Sequence, residues 1–389
     1  MNKEPRILIV AGEASGDLYA GHLVEQIRRK AGVNITFLGC AGHEMRRAGV
    51  EPIVRVEEVS VHGFLEVLSH LAILRKAFHQ LVAAANQLKP DLAILVDFPD
   101  FNMRLARRLK KLGVKIVYFI SPQFWAWRKG RINVLKGLIE EMICILPFEE
   151  ASYRQAGVPA EFVGHPLVEL LDREDSEEHP ADAGWFAGSG PKVAILPGSR
   201  KNEIRHNLPV LLDSIVRIQE RRPEVQFALA VSANVGVNYV QKRLDQWRMS
   251  ASKPPRMILE EGQTRSLLKR CDAAVVSSGT ATLEAALLGC PFICVYRVAP
   301  LSWWVGQKLV DVPYYCLVNL VLNRPVVKEL FQRDFSPAVV EREVYRLLDD
   351  APGSEAMRSE FTGLRRVLAS RGSPLERSAE IVIRHLETN

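Results

Sequence analysis

The apolar run DLAILVDF ends on Asp97, and the chain then turns through PDFNMR. A carboxylate with a reference pKa of ~3.9 is ionised at neutral pH unless burial raises it, so Asp97 is placed to take a proton as a general base. Asp100 and Asn102 follow at once and suit either a helix N-cap or a polar contact with a substrate. A second carboxylate, Glu13, lies in AGEASGD, directly after ILIV. That loop matches neither G-x-G-x-x-G nor G-x-x-x-x-G-K-[ST], and Glu13 and Asp17 oppose a phosphate. Its small residues, Ser15 and Gly16 among them, let a substrate come close to the backbone. Glu13 then either meets sugar hydroxyls, orients another catalytic group, or joins Ser15 in capping the helix.

Two loops in the second half have the chemistry of an anion grip. KVAILP runs into Gly198, Ser199 and Arg200. A guanidinium there fits a diphosphate bidentately, or else decorates a turn. VVSSGTATLE places Ser278, Gly279 and Thr280 where backbone N–H groups open a helix, a natural phosphate site. Glu284, one turn further, either accepts hydrogen bonds from ribose or is an ordinary helix-start carboxylate. Two such loops in one half-chain point to a nucleotide diphosphate. In the first half, SPQFWAWRKGR sets Trp125 and Trp127 beside Arg128, Lys129 and Arg131. Aromatics beside cations suit a sugar face, a phosphate or a lipid headgroup, or form core packing with a solvated basic face. His165 in FVGHP is a structural histidine or a group at an interdomain crossing.

These residues need strands to present them. RILIV, ITFLG, DLAILVDF, KIVYFI and EMICIL read as buried parallel strands, with helices at Ala20–Ile27, about Leu65–Leu88 and Arg104–Leu112, the last closed by Gly113. The acidic, then Gly- and Pro-rich stretch 172–191 reads as a linker. A second series follows: KVAILP, VQFALAV, RMILE, AAVVS and FICVYR. Two βαβ series predict an α/β chain of two doubly wound, Rossmann-like domains, with ligands outside the carboxyl ends of the strands. From about Pro337 the pattern is helical. The six cysteines are scattered without CxxC spacing and read as reduced core residues of a cytoplasmic protein rather than a zinc site. A strand begins within six residues of the start, which leaves no room for a signal peptide. No uncharged apolar run approaches the ~18 residues of a spanning helix. The net charge of +6 does not choose between acidic small molecules, an anionic membrane and nucleic acid.

AGEASGD, VDFPDFN, SPQFWAW, FVGHP, LPGSR, SSGTATLE and LVNLVLNRPVVKEL occur in this order over most of the chain. Together they resemble the lipid-A-disaccharide synthases of Gram-negative bacteria, inverting glycosyltransferases of GT-B type. The resemblance implies transfer of 2,3-diacylglucosamine from UDP-2,3-diacylglucosamine to the 6-hydroxyl of 2,3-diacylglucosamine 1-phosphate. The products are UDP and a β-1,6-linked tetraacyl disaccharide 1-phosphate; no metal and no other cofactor is expected. It places the family's critical aspartate at Asp97 and its donor arginine at Arg200, with Glu284 toward ribose and Asn319 in a donor-side segment. Glu13 and Asp100 join Asp97 and Arg200 as catalytic candidates. Gly198, Ser199, Ser278, Gly279 and Thr280 complete the donor set, and Ser15, Gly16, Asn102, Trp127 and Arg128 form the acceptor set. Two positions depart from the family pattern: Val318 stands for a proline, and Phe98 for a common alanine.

The implied domains are 1–171 on the acceptor side, a linker at 172–191, a UDP-sugar domain at 192–360, and a C-terminal helix at 361–389 that packs back on the first domain or is exchanged in a homodimer. Acyl-chain substrates imply peripheral attachment to the cytoplasmic face of the inner membrane. The apolar stretch VHGFLEVLSHLAILRKAFHQLV, with Arg75 and Lys76 in it, and the Arg104, Arg107, Arg108, Lys110 and Lys111 cluster read as a basic and apolar docking face or as an ordinary core helix with a solvated side. SWWVGQKL is a second such stretch. The competing readings are another UDP-sugar enzyme, such as an epimerase or a soluble-substrate glycosyltransferase, and a non-catalytic binder of membranes or nucleic acid. No nucleic-acid partner is expected, and the missing G-x-G-x-x-G disfavours a dehydrogenase.

Overall fold

The computed structural model describes residues 4–59, 67–122, 124, 132–175, 189–249, 254–299, 303, 312–369 and 372–387. The chain forms two units, one of residues 1–170 with 367–389, the other of residues 171–366.

The first unit holds a parallel sheet of β1 (Arg6–Val10), β2 (Thr36–Ala41), β3 (Glu51–Arg55), β4 (Leu92–Val96), β5 (Lys115–Phe119), β6 (Glu141–Cys144) and β7 (Ala160–Phe162). Their order is β3-β2-β1-β4-β5-β6-β7. The chain winds outward from β1 one way and from β4 the other, so the direction of winding reverses between these neighbours. The interior strands are buried on both faces, which is why they read as unbroken apolar runs. β3 carries Pro52 and is largely exposed, as an edge strand tolerates. The helix Ala14–Lys30 buries Ala20, Leu23, Val24 and Ile27, the residues that set its period in the sequence. The helix Pro99–Lys111 starts on a proline and is followed by Gly113 at φ +77°, the left-handed position that glycine takes past a helix end.

The second unit repeats the plan with β8 (Lys192–Leu196), β9 (Gln226–Val231), β10 (Met257–Glu261), β11 (Ala273–Ser277), β12 (Phe292–Tyr296) and β13 (Glu329–Phe331). The order β10-β9-β8-β11-β12-β13 reverses between β8 and β11. Helices Pro337–Asp349 and Ala351–Leu368 follow.

The last helix, Pro374–Glu387, belongs to the first unit. It buries Leu375, Ala379, Ile381 and Val382. Glu376 and Glu380 reach Arg29 at 2.5 Å and Lys30 at 2.8 Å on the helix Ala14–Lys30. Exposed pairs of this kind contribute little beside the apolar face they flank.

Candidate functional site

In the first unit the loops after β1 and β4 meet across the switch point. A Cβ on Gly12 would lie 2.3 Å from the Phe98 ring, so only glycine fits there. Phe98 in turn stacks on Phe101 with ring centroids 4.9 Å apart. Glu13 stands at the N-cap of the helix Ala14–Lys30 without a side-chain capping bond, and is half-buried. Ser15 is exposed and Gly16 buried, the latter near Val96.

Asp97 and Phe98 are both left-handed, at φ +43° and +50°. Neither is glycine, so each costs on the order of 1–3 kcal/mol. Ile120, just past β5, is a third such residue, at φ +64°. The Asp97 N–H donates to the Phe119 carbonyl at 3.2 Å and extends the ladder by one rung. The Asp97 carbonyl accepts from the Tyr118 hydroxyl at 2.5 Å and from Asn102 Nδ2 at 2.9 Å. Asn102 Nδ2 also donates to the Val96 carbonyl at 3.2 Å. Burial, aided by the Asp97 charge, pushes the Tyr118 hydroxyl well above its ordinary pKa, so it stays a donor. Phe98 occupies the cap position of the next helix, so neither Asp100, exposed in the first turn, nor Asn102, wholly buried, caps it.

In the second unit Gly198 takes φ +126°, and a Cβ there would lie 2.5 Å from Glu203 Oε2. Arg200 opens the helix Lys201–Arg221. The Glu203 carboxylate accepts from the N–H groups of Ser199 at 2.9 Å and Arg200 at 3.3 Å, and pairs with the Arg200 guanidinium at 3.3 Å. Gly279 takes φ +147° ahead of the helix Thr280–Leu287, whose first N–H groups have no partner inside the helix. Open space surrounds the position a Gly279 Cβ would occupy. The Ser278 hydroxyl donates to the Tyr315 carbonyl at 2.9 Å. Glu284 pairs with Arg265 at 3.0 Å; burial raises its pKa and the guanidinium opposes that rise. Asn319 is buried, and its amide holds both backbone groups of Val327 and donates to Glu329.

Each unit therefore gathers candidates at its own switch point: Glu13 with Asp97, and Gly198–Arg200 with the Ser278–Thr280 turn. Asn102 and Asn319 lie beneath the loops rather than on them. Trp127 and Arg128, with Trp125, Lys129 and Arg131, fall outside the described residues, as do residues 176–188 of the linker stretch and, Trp303 apart, SWWVGQKL. His165 is buried and edge-on to Tyr19 at 5.9 Å, and burial lowers its imidazole to about 4. Asp17 does not face a ligand. Its carboxylate accepts from the N–H groups of Gly42, Glu44 and Met45, capping the helix His43–Arg47.

The sequence reading also missed Asn207. It is fully buried and ties three strand ends together, donating to the Pro197 carbonyl at 2.9 Å and Ser277 Oγ at 3.2 Å, and accepting from the Arg297 N–H at 3.0 Å. The available signal was an amide on the apolar stripe Ile204, Leu208, Leu211. A basic hollow opens along the helix Pro99–Lys111. Arg104, Arg107, Arg108 and Lys111 line it, with Phe78 and Leu138 as its apolar part.

The family model described as Lipid-A-disaccharide synthetase matches residues 7–372. The lipid-A-disaccharide synthase of Solibacter usitatus (strain Ellin6076) is 41% identical over 371 residues, 95% of each chain. Among solved structures, a UDP-GlcNAc 2-epimerase from Neisseria meningitidis bound to UDP-GlcNAc aligns with TM-score 0.63 at 12% identity, covering 99% of this chain and 100% of that one. The glycotransferase of kitacinnamycin aligns with TM-score 0.61 at 14% identity, covering 98% and 99%. At such identity these two likenesses carry the fold alone, which is GT-B.

Proposed function

We propose the following division of labour for this chain, which belongs to the lipid-A-disaccharide synthase family: the second unit holds the UDP of the donor, and the first supplies the base and receives the acceptor. The reaction is the transfer of 2,3-diacylglucosamine from its UDP ester to the 6-hydroxyl of 2,3-diacylglucosamine 1-phosphate. Asp97 takes the hydroxyl proton as the acceptor oxygen bonds to the anomeric carbon and the bond from that carbon to the UDP oxygen breaks on the opposite face. One base and one in-line displacement invert the anomeric centre. The departing diphosphate gains charge, which Arg200 and the N–H groups at Gly279 and Thr280 stabilise. Glu284 accepts from ribose beside its bond from Arg265. Glu13 serves the acceptor hydroxyls, and Asp100 flanks them. Asn319 acts through Glu329, which also holds the Tyr315 and Cys316 N–H groups beside Ser278.

The observation that carries this reading is the coincidence of chemistry with topology. In each sheet the chemical groups cluster at the one crevice where the strand order reverses, where open α/β sheets bind ligands. Peripheral attachment to the cytoplasmic face of the inner membrane goes with lipid substrates. No helix among the described residues is long and apolar enough to cross a membrane. Leu71, 55% exposed, lies on the helix Val67–Leu88, which packs against the basic helix Pro99–Lys111. The two offer an apolar and cationic surface to anionic lipid.

The test is disaccharide formation from radiolabelled donor and acceptor in detergent with EDTA. Wild type turns over, and Asp97→Ala loses on the order of 10³-fold or more in kcat, within the range for removing a general base. Undiminished turnover in Asp97→Ala sinks the assignment.

A further inference from the structure

We infer that Tyr118 and Asn102 are positioning residues that hold the Asp97 carbonyl and thereby fix where its carboxylate points. The inference rests on Asp97 being the base. Asp97 and Phe98 occupy the left-handed region, which phenylalanine avoids and aspartate visits only occasionally, so the surrounding structure must hold two such residues in succession. The Tyr118 hydroxyl and the Asn102 amide converge on one carbonyl oxygen from β5 and from the helix Pro99–Lys111, at 2.5 and 2.9 Å. Asn102 reaches the Val96 carbonyl as well, so its amide spans the bend. On the other side Gly12 admits the Phe98 ring where any larger residue would displace it.

Asn102 is fully buried, and its Oδ1 has no hydrogen-bond partner among the described residues. A buried acceptor left unsatisfied is a cost; leucine at this position would remove that cost but would take the donor from the Val96 and Asp97 carbonyls. Both hydrogens of the amide go to the backbone that bears Asp97. Released from them, the peptide after Asp97 can turn toward an ordinary conformation and swing the carboxylate. A displacement of about 1 Å at a reacting group costs on the order of 10²-fold in rate.

The experiment is a double-mutant cycle. Tyr118→Phe removes one oxygen, and Asn102→Leu removes both amide bonds at similar volume. Each is expected to lower kcat at least tenfold with KM for both substrates within twofold. Melting curves establish whether each variant is folded. In an Asp97→Ala background, with residual turnover read by radiolabel, either substitution adds less than a twofold loss, because the group it positions is gone. Losses that multiply in that background overturn the inference, because they show action elsewhere. So does retention of more than half of wild-type kcat in both single variants while Asp97→Ala is inactive, and that result leaves Asp97 as the base. An active Asp97→Ala instead removes the reading beneath. If Tyr118→Phe fails to fold, Asn102→Leu carries the cycle alone.

Discussion

Arg200 enters its proposed task already partnered. Its guanidinium is half exposed and lies 3.3 Å from Glu203, whose carboxylate also gathers the N–H groups of Ser199 and Arg200. Glu203 thus orders the loop after β8 around a half-exposed guanidinium, and the proposed task of that guanidinium is to clamp a diphosphate whose charge grows as the sugar departs. Replacing Arg200 with alanine is expected to cost on the order of 10²–10³ in kcat, the scale seen when one oxyanion donor is lost. Lysine restores charge but not the fork and recovers only part of that loss. Steady-state kinetics on the three proteins decide this, and a lysine variant equal to wild type would remove the bidentate argument. Asp97 and Arg200 draw notice in the sequence because Asp97 ends one apolar run and Arg200 comes within four residues of another, and position relative to a strand end is local information. Asn207, Tyr118 and Glu203 do not. Their work consists of bonds to residues up to 90 positions away or to backbone whose course the sequence does not display. Asn102 and Asn319 read as ligand contacts in the sequence, and both are buried in the structure; the sequence marks a polar residue near a loop without saying on which side of the loop it lies.

Elements were read well where burial was two-sided and poorly where it was not. β1, β4, β8 and β11 announce themselves as unbroken apolar runs because neighbours cover both faces. β3 at a sheet edge, and β7 and β13 with three residues each, carry too little pattern to be found. The left-handed bend at Asp97–Phe98 was invisible for a different reason, since no glycine marks it. Its partner does carry a mark: Gly12 is small because Phe98 fills the space. Gly12→Ala is expected to push that ring and its backbone, destabilising the first unit by about 1–3 kcal/mol as overpacking does. Turnover should fall on the order of 10²-fold through the displaced Asp97. Gly32→Ala is the matching control: Gly32 takes φ +63° with nothing within 4 Å of its missing Cβ. It should lose stability through backbone strain alone and keep wild-type kcat. Melting curves and kinetics on both variants separate the two effects, and a fully active Gly12→Ala would show that the two loops are not coupled.

For the molecule as a whole, the pairing of two similar α/β series was legible because each series repeats strand and helix at similar spacing. The chain returns to its first unit at residues 367–389; in the sequence the last helix has two options, packing back or exchange between subunits, because a surface helix pattern does not name the surface it covers. His165 sits where this return is fastened: its N–H donates to the Leu368 carbonyl at 2.9 Å, and its Nδ1 accepts from the Leu167 N–H at 3.2 Å. Burial lowers the imidazole from its ordinary 6.5 to about 4. Between those values the unfolded chain binds a proton that the folded chain does not, so stability rises with pH across this window. The contribution is complete above about pH 6.5 and is lost as pH falls toward 4, amounting to on the order of 3 kcal/mol in total. His165→Asn keeps an acceptor for Leu167 but cannot titrate. From pH 7.5 to pH 5, wild type should lose about 2 kcal/mol more than this variant. The readout is hydrogen exchange in β1 and β4, which follows the first unit without assuming that both units melt together. Parallel losses in the two proteins would mean that His165 takes up its proton without unfastening the return.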